Sequence, residues 1–159
     1  MFNKIISVLE DQAIAKNTKR IKEILEFRRI LEPEIAALAA ESLDSNDLVL
    51  INTILDRQEK SLSEDKEDAQ DDLHFHLTLA RATKNDILVE VTAILHDILR
   101  ECRVPQLENL GRKRNSLQGH RKIYAALRER DSELSRSAMR DHLRDVESLL
   151  YGQCTDTST

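Results

Sequence analysis

The chain reads as an all-α protein, an antiparallel bundle of six or seven helices around a central metal or ligand cavity. Three observations carry the fold class. Helix formers (Leu, Ala, Glu, Arg, Lys) dominate, three Gly and two Pro in 159 residues leave little punctuation for hairpins or a barrel, and the apolar residues recur at helical rather than alternating spacing. A chain of this length fits one domain. We divide it into residues 1–19, a linker or short leading helix, residues 20–151, the bundle, and residues 152–159, a polar tail expected to fray.

Taken in order, a leading helix over about Phe2–Lys16 has Ile5, Leu9 and Ala13 on one face. The next spans about Lys19–Ser42, with Ile21, Ile24, Leu25, Leu31, Ile35 and Leu38 as its stripe. Pro33 inside it predicts a kink or a break, because proline removes a backbone donor. Ser45 caps a third helix to about Leu62. The acidic run SEDKEDAQDD suits the N-terminus of a fourth, ending near Thr83. Asn85 caps a fifth, with the stripe Ile87, Leu88, Val91, Ile94, Leu95, Ile98 and Cys102, and Pro105 and Gly111 mark its end and a loop. Ser116 opens a helix to about Glu129. Asp131 caps the last, about Ser132–Tyr151, with Leu134, Ala138, Met139, Val146 and Leu149 facing in. Short connections between such helices make neighbours antiparallel.

Composition narrows the function. A net charge of −5 argues against a nucleic-acid surface, which needs a basic patch. No apolar run approaches a membrane span, and the start MFNKIISVLEDQ is acidic too early for a signal peptide. Cys102 and Cys154 stand apart, with no ligand-like spacing, and read as reduced thiols of a cytoplasmic protein.

Chemistry concentrates in four residues. Asp72 and His76 are four apart, about 40° around a helix, so both side chains reach one ion. His120 heads the stripe Ile123, Tyr124 and Leu127, and His142 lies among Ala138, Met139, Val146 and Leu149. Both point at the core. His74 falls about 160–200° from Asp72 and His76 and is expected in solvent. His96 is expected to lie off the stripe centred on Val91 and Leu95. Inward histidines are often satisfied core residues, but three of them with a carboxylate are costly to bury unpaired. Imidazole and carboxylate donors suit Zn²⁺, Ni²⁺, Mn²⁺ or Fe²⁺, and the absence of thiolates argues against a purely structural zinc. Four protein ligands leave an octahedral ion two positions for water or a small anion. Arg28 adds a cation at the centre of an apolar stripe. It needs an acceptor: Glu32 at i+4, a ligand carboxylate, or both.

These positions also carry a resemblance. RRILEPEIAALAAE (Arg28, Leu31, Glu32), then Asp72, Phe75 and His76 with Ala82, Thr83 and Asn85, then His120, Ile123 and Ala126, and finally Asp131, Ala138, Met139, His142 and Leu143 follow in order the motifs of one family. Over about residues 20–151 the chain resembles the FCD ligand-binding domain of GntR-type transcription regulators, in the FadR-like branch. The resemblance implies a six- or seven-helix bundle in which Asp72, His76, His120 and His142 bind a divalent ion and a small organic acid coordinates it. It implies a homodimer, and DNA binding through an N-terminal winged helix-turn-helix domain of about 70 residues. The roughly 20 residues before the first matched helix are too short and too weakly basic for that role. The chain is then either part of a longer regulator or a stand-alone effector domain.

The competing class is a metalloenzyme with a His3Asp site. Iron and manganese superoxide dismutases use such a set but surround it with Trp and Tyr, whereas this chain has no Trp and 3% aromatics. A metallohydrolase needs a general base spaced as the Glu of HExxH is, and none is evident here.

Overall fold

The computed structural model describes residues 2–66, 69–102 and 110–151, residues 2–10 as backbone only. Pro105, Cys154, the expected tail 152–159 and the side chains of Ile5 and Leu9 lie outside the described residues. Six helices follow in order: α1 Phe2–Ser42, α2 Ser45–Ser63, α3 Ala69–Ala82, α4 Asp86–Glu101, α5 Leu110–Arg128 and α6 Ser132–Tyr151. No strand occurs among the described residues.

The two leading helices expected from the sequence are one. α1 runs unbroken across Asn17 and through Pro33. Asn17 does not compete with its own backbone, because its Nδ2 donates to the Cys102 carbonyl at the end of α4 (2.9 Å). At Pro33, burial on both sides holds the helix: Ile24, Leu25, Arg28 and Glu32 precede it and Ile35, Ala36, Ala39 and Ala40 follow, all buried. Tertiary packing here overrides a local penalty of about 3 kcal/mol. Ala13 is exposed, as is Leu38 at 45%.

Caps set the other boundaries. The N-cap of α2 is Asp44 rather than Ser45, in a reciprocal box with Asp47: each side chain accepts from the other's backbone N–H at 2.9 Å. Asn85 caps α4 as expected, accepting from Ile87 and Leu88 N–H, and Asp131 accepts from Leu134 N–H at 2.8 Å. α5 begins six residues before Ser116, so Gly111 lies in helix rather than loop. Lys113 and Ser116 in that first half are buried, with Lys113 Nζ donating to the Lys66 carbonyl.

Two faces differ from the sequence expectation. On α4, Ile87 and Ile94 point outward (64% and 57% exposed), while Thr92, Leu95, His96 and Leu99 face in. On α6, Leu134 and Leu149 are exposed, and Ser135, Met139, His142, Leu143 and Val146 are buried.

α1 is the central element, packing most extensively on α6 and also on α3, α4 and α5. α2 packs on α3 and α5, and α5 on α6. Two- and three-residue links at residues 43–44, 83–85 and 129–131 join α1 to α2, α3 to α4 and α5 to α6. The core joins Ile35, Ala36 and Ala39 of α1, Ile51, Ile54 and Leu55 of α2, Phe75 and Leu79 of α3, Ile123 and Leu127 of α5, and Met139 and Leu143 of α6. The polar cluster sits beside this core: Phe75 stacks on the His120 ring, centroids 3.9 Å apart. Among the described residues, no helix is long and apolar enough to cross a membrane.

Candidate metal and effector site

Three helices bring the imidazoles together. His76 of α3, His120 of α5 and His142 of α6 are 2%, 0% and 3% exposed, and one ring nitrogen from each lies within 4.8 Å of the others. The His120 and His142 rings are closest, with centroids 4.5 Å apart. Asp72, one turn before His76, places Oδ1 at 3.7 Å from His120 Nε2 and accepts a hydrogen bond from Ser116 Oγ (3.0 Å). The three predicted histidines thus come together, and Asp72 lies beside His120. His74 has its side chain 46% exposed, as expected.

A neighbouring group fixes the His120 tautomer. His120 Nδ1 lies 3.0 Å from the Gln58 side-chain oxygen, which only accepts, so the ring proton belongs on Nδ1 and the lone pair on Nε2. His76 Nδ1 lies 2.9 Å from Glu32 Oε2, at ion-pair distance but outside hydrogen-bond geometry. A partner that holds the far nitrogen is how proteins orient metal-ligating histidines. His120 Nε2 and His142 Nδ1 have no hydrogen-bond partner.

Electrostatics favour neutral His120 and His142 and charged acids. Burial first, then His76 and Arg28, push His142 down to about 3. Burial, with His142 next, holds His120 well below the usual histidine range. Burial alone would raise Asp72, but Arg112 and the histidines around it reverse this and hold it well below the usual carboxylate range. Glu32 behaves likewise: burial raises it, and Arg28 and His76 more than offset that. Neutral His120 and His142 beside an ionised Asp72 are protonation states that a divalent cation requires.

Arg28 takes the nearer of its two expected partners. Its Nε donates to Glu32 Oε1 at 2.7 Å and Nη2 to Oε2 at 3.3 Å, with both residues buried. Nη2 also approaches His76 Nε2 at 3.5 Å.

His96 corrects the sequence expectation. It is 8% exposed, its ring centroid is 5.0 Å from that of His76, and its Nε2 is 3.7 Å from Glu32 Oε1. Glu32, His76 and His96 thus form a second buried group of potential ligands sharing His76. The physical reason is the phase of α4, which turns Thr92 and His96 inward. Sequence reasoning also missed Gln58, Ser116 and the site role of Glu32. Glu32 at i+4 from Arg28 reads as an ordinary helix pair, and the partners of Gln58 and Ser116 are distant in sequence.

The sequence and fold match known proteins. Residues 23–145 match the FCD domain family. The chain is 31% identical to the HTH-type transcriptional regulator LutR of Bacillus subtilis, covering 88% of this chain and 66% of that protein. It is 31% identical to the Uxu operon transcriptional regulator of Escherichia coli, covering 80% of this chain and 52% of the relative. The chain thus spans about half to two thirds of the length of these relatives. Among solved structures, Streptococcus agalactiae GntR superposes with a TM-score of 0.73 at 24% identity, over 81% of this chain and 58% of that one. E. coli McbR/YncC gives 0.72 at 22%, over 83% and 68%. The chain belongs to the FCD family, the effector-binding domain of GntR-type transcription regulators.

Proposed function

We propose that this domain senses a small organic acid through a divalent ion held by Asp72, His76, His120 and His142, and signals to a winged helix-turn-helix domain elsewhere in the regulator. The observation that carries this reading is the buried trio of imidazoles, with ring nitrogens within 4.8 Å of one another, His120 oriented by Gln58 and His76 beside Glu32. The donor set suits Zn²⁺, Ni²⁺, Mn²⁺ or Fe²⁺, and affinity order alone favours Zn²⁺ or Ni²⁺ over the other two. When bound, the ion supplies a Lewis-acid centre for a carboxylate oxygen. Arg28 supplies the second cation. Its fork rests on Glu32, so an incoming carboxylate competes with Glu32 for the guanidinium, and binding alters the pair. Two copies of the regulator are proposed to pair, as a homodimer. The relatives are transcription regulators, which favours a binding module over a metalloenzyme.

Calorimetric titration of chelator-treated protein with Zn²⁺, Ni²⁺ or Mn²⁺ tests the metal. One site is expected, strongly weakened in His76→Ala, His120→Ala and His142→Ala and retained in His74→Ala. Equal loss in all four, or no binding in the wild type, overturns the reading. A panel of C2–C6 organic acids is then expected to bind only the metal-loaded protein. Arg28→Ala should weaken that binding by at least about 1.5–3 kcal/mol, the scale of a hydrogen bond to a charged group. Arg28→Lys should also weaken it, since an ammonium lacks the bidentate fork. Undiminished acid binding by folded Arg28→Ala leaves Arg28 as the structural partner of Glu32 alone.

A further inference from the structure

Gly119 stands in the middle of α5, immediately before His120. No described glycine has a positive φ, so nothing in the backbone conformation requires glycine here. A helix interior is also where glycine is least favourable after proline. The reason for it is space. A Cβ built on Gly119 would lie 2.4 Å from His142 Nδ1, 3.0 Å from its Cγ and 3.1 Å from its Cβ. The first distance is far inside van der Waals contact, so the ring would have to swing away. The third involves the root of the side chain, which no rotation about χ1 or χ2 moves. Clearing it requires α5 and α6 to separate by some tenths of an ångström.

We infer that Gly119 is a positioning residue for His142: its missing Cβ lets the imidazole lie against the α5 backbone, within reach of His120 and His76. α5 thereby offers a ligand at His120 and, one position earlier, the recess that seats the ligand arriving from α6. This accounts for the His120–His142 ring pair being the closest of the histidine pairs in the cluster. The inference rests on the metal reading for its functional meaning, but the seating of His142 is testable without metal.

The experiment is a four-protein cycle on the full chain: wild type, Gly119→Ala, His142→Gly and the double variant, each followed by thermal melting without metal and by Zn²⁺ and Co²⁺ titration. With His142 present, Gly119→Ala should lower the melting temperature. With His142 removed, the same substitution should raise it by a few degrees, because the clash is gone and alanine is the better helix former. Zn²⁺ affinity should fall at least tenfold in Gly119→Ala, with an altered Co²⁺ visible spectrum and unchanged helical circular dichroism. Should Gly119→Ala prove too unstable to titrate, the two His142→Gly proteins still report the sign change. Equal destabilisation in both backgrounds, or wild-type Zn²⁺ affinity in Gly119→Ala, overturns the inference. A wild type that binds no metal overturns the metal reading instead, and the melting cycle still judges Gly119.

Discussion

At the scale of single residues, the partners behind the histidines matter as much as the histidines. Gln58 is 1% exposed, and its one hydrogen-bonded neighbour of consequence is His120 Nδ1. Gln58→Ala should lower Zn²⁺ affinity about 10–100-fold, the usual effect of losing an orienting partner. Unchanged affinity in a calorimetric titration would mean that packing against Phe75 alone holds the ring. Glu32 is under heavier load, since Arg28, His76 and His96 all converge on it. Glu32→Ala strands a buried guanidinium and should cost about 3–5 kcal/mol in urea unfolding. Arg121→Ala, which breaks a half-exposed pair with Asp56 and Glu59, should change stability by less than about 1 kcal/mol. Comparable losses in the two variants would contradict this ranking. Asp72, His76, His120 and His142 were legible in the sequence because spacing and helical phase both pointed inward. Glu32 and Gly119 were not: the first resembles any i,i+4 pair, and the second resembles a helix breaker until the histidine from α6 is placed against it.

At the scale of elements, caps proved more legible than faces. Asn85 is the clearest case, its side chain accepting from Ile87 and Leu88 N–H. Asn85→Ala should cost about 1 kcal/mol, or about 2–4 °C in melting temperature for a domain of this size. A melting curve that does not move would show that the α3–α4 packing, not the cap, fixes this boundary. The face of α4 was misread for a physical reason. Ile87, Leu88, Val89, Val91, Ile94, Leu95, Ile98 and Leu99 put apolar residues nearly all the way round, so a helical wheel gives its direction poorly. What settles the rotation is that Thr92 and His96 find polar surroundings on the inside, His96 beside Glu32 of α1 and His76 of α3. That information lies in other helices. α1 was misread in the opposite sense, because local penalties at Asn17 and Pro33 were given more weight than burial along its length could bear out.

At the scale of the whole molecule, the cluster makes stability depend on pH. His96, His120 and His142 are lowered in the folded state from an ordinary value of 6.5. The unfolded chain therefore binds more protons, and stability present above about pH 6.5 is lost as pH falls towards the folded values, about 3 for His142. The slope is about 1.4 kcal/mol per pH unit for each histidine involved. Asp72 and Glu32, also lowered, add to the loss below their ordinary values of 3.8 and 4.5. Urea unfolding of metal-free protein from pH 8 to pH 5 should show stability level above pH 7 and falling below 6.5. A flat profile would mean the rings are solvated or already charged. Metal bound to the native state alone should add about 2.7 kcal/mol at a hundredfold excess over Kd. EDTA should accordingly lower the melting temperature by several degrees, and an unchanged melt with metal loss verified would count against ligation across the three helices.

The unbroken α1 has a mechanical consequence. Arg28 and Glu32 lie in the polar cluster, while most side chains described between residues 11 and 23 are open to solvent. At 1.5 Å per residue, the helix runs about 39 Å from Arg28 back to Phe2. Without a joint at Asn17 or Pro33, this span is a stiff lever whose fulcrum is the Arg28–Glu32 pair. Tilting it by about 5° there sweeps its first turn through roughly 3 Å, the length of a hydrogen bond.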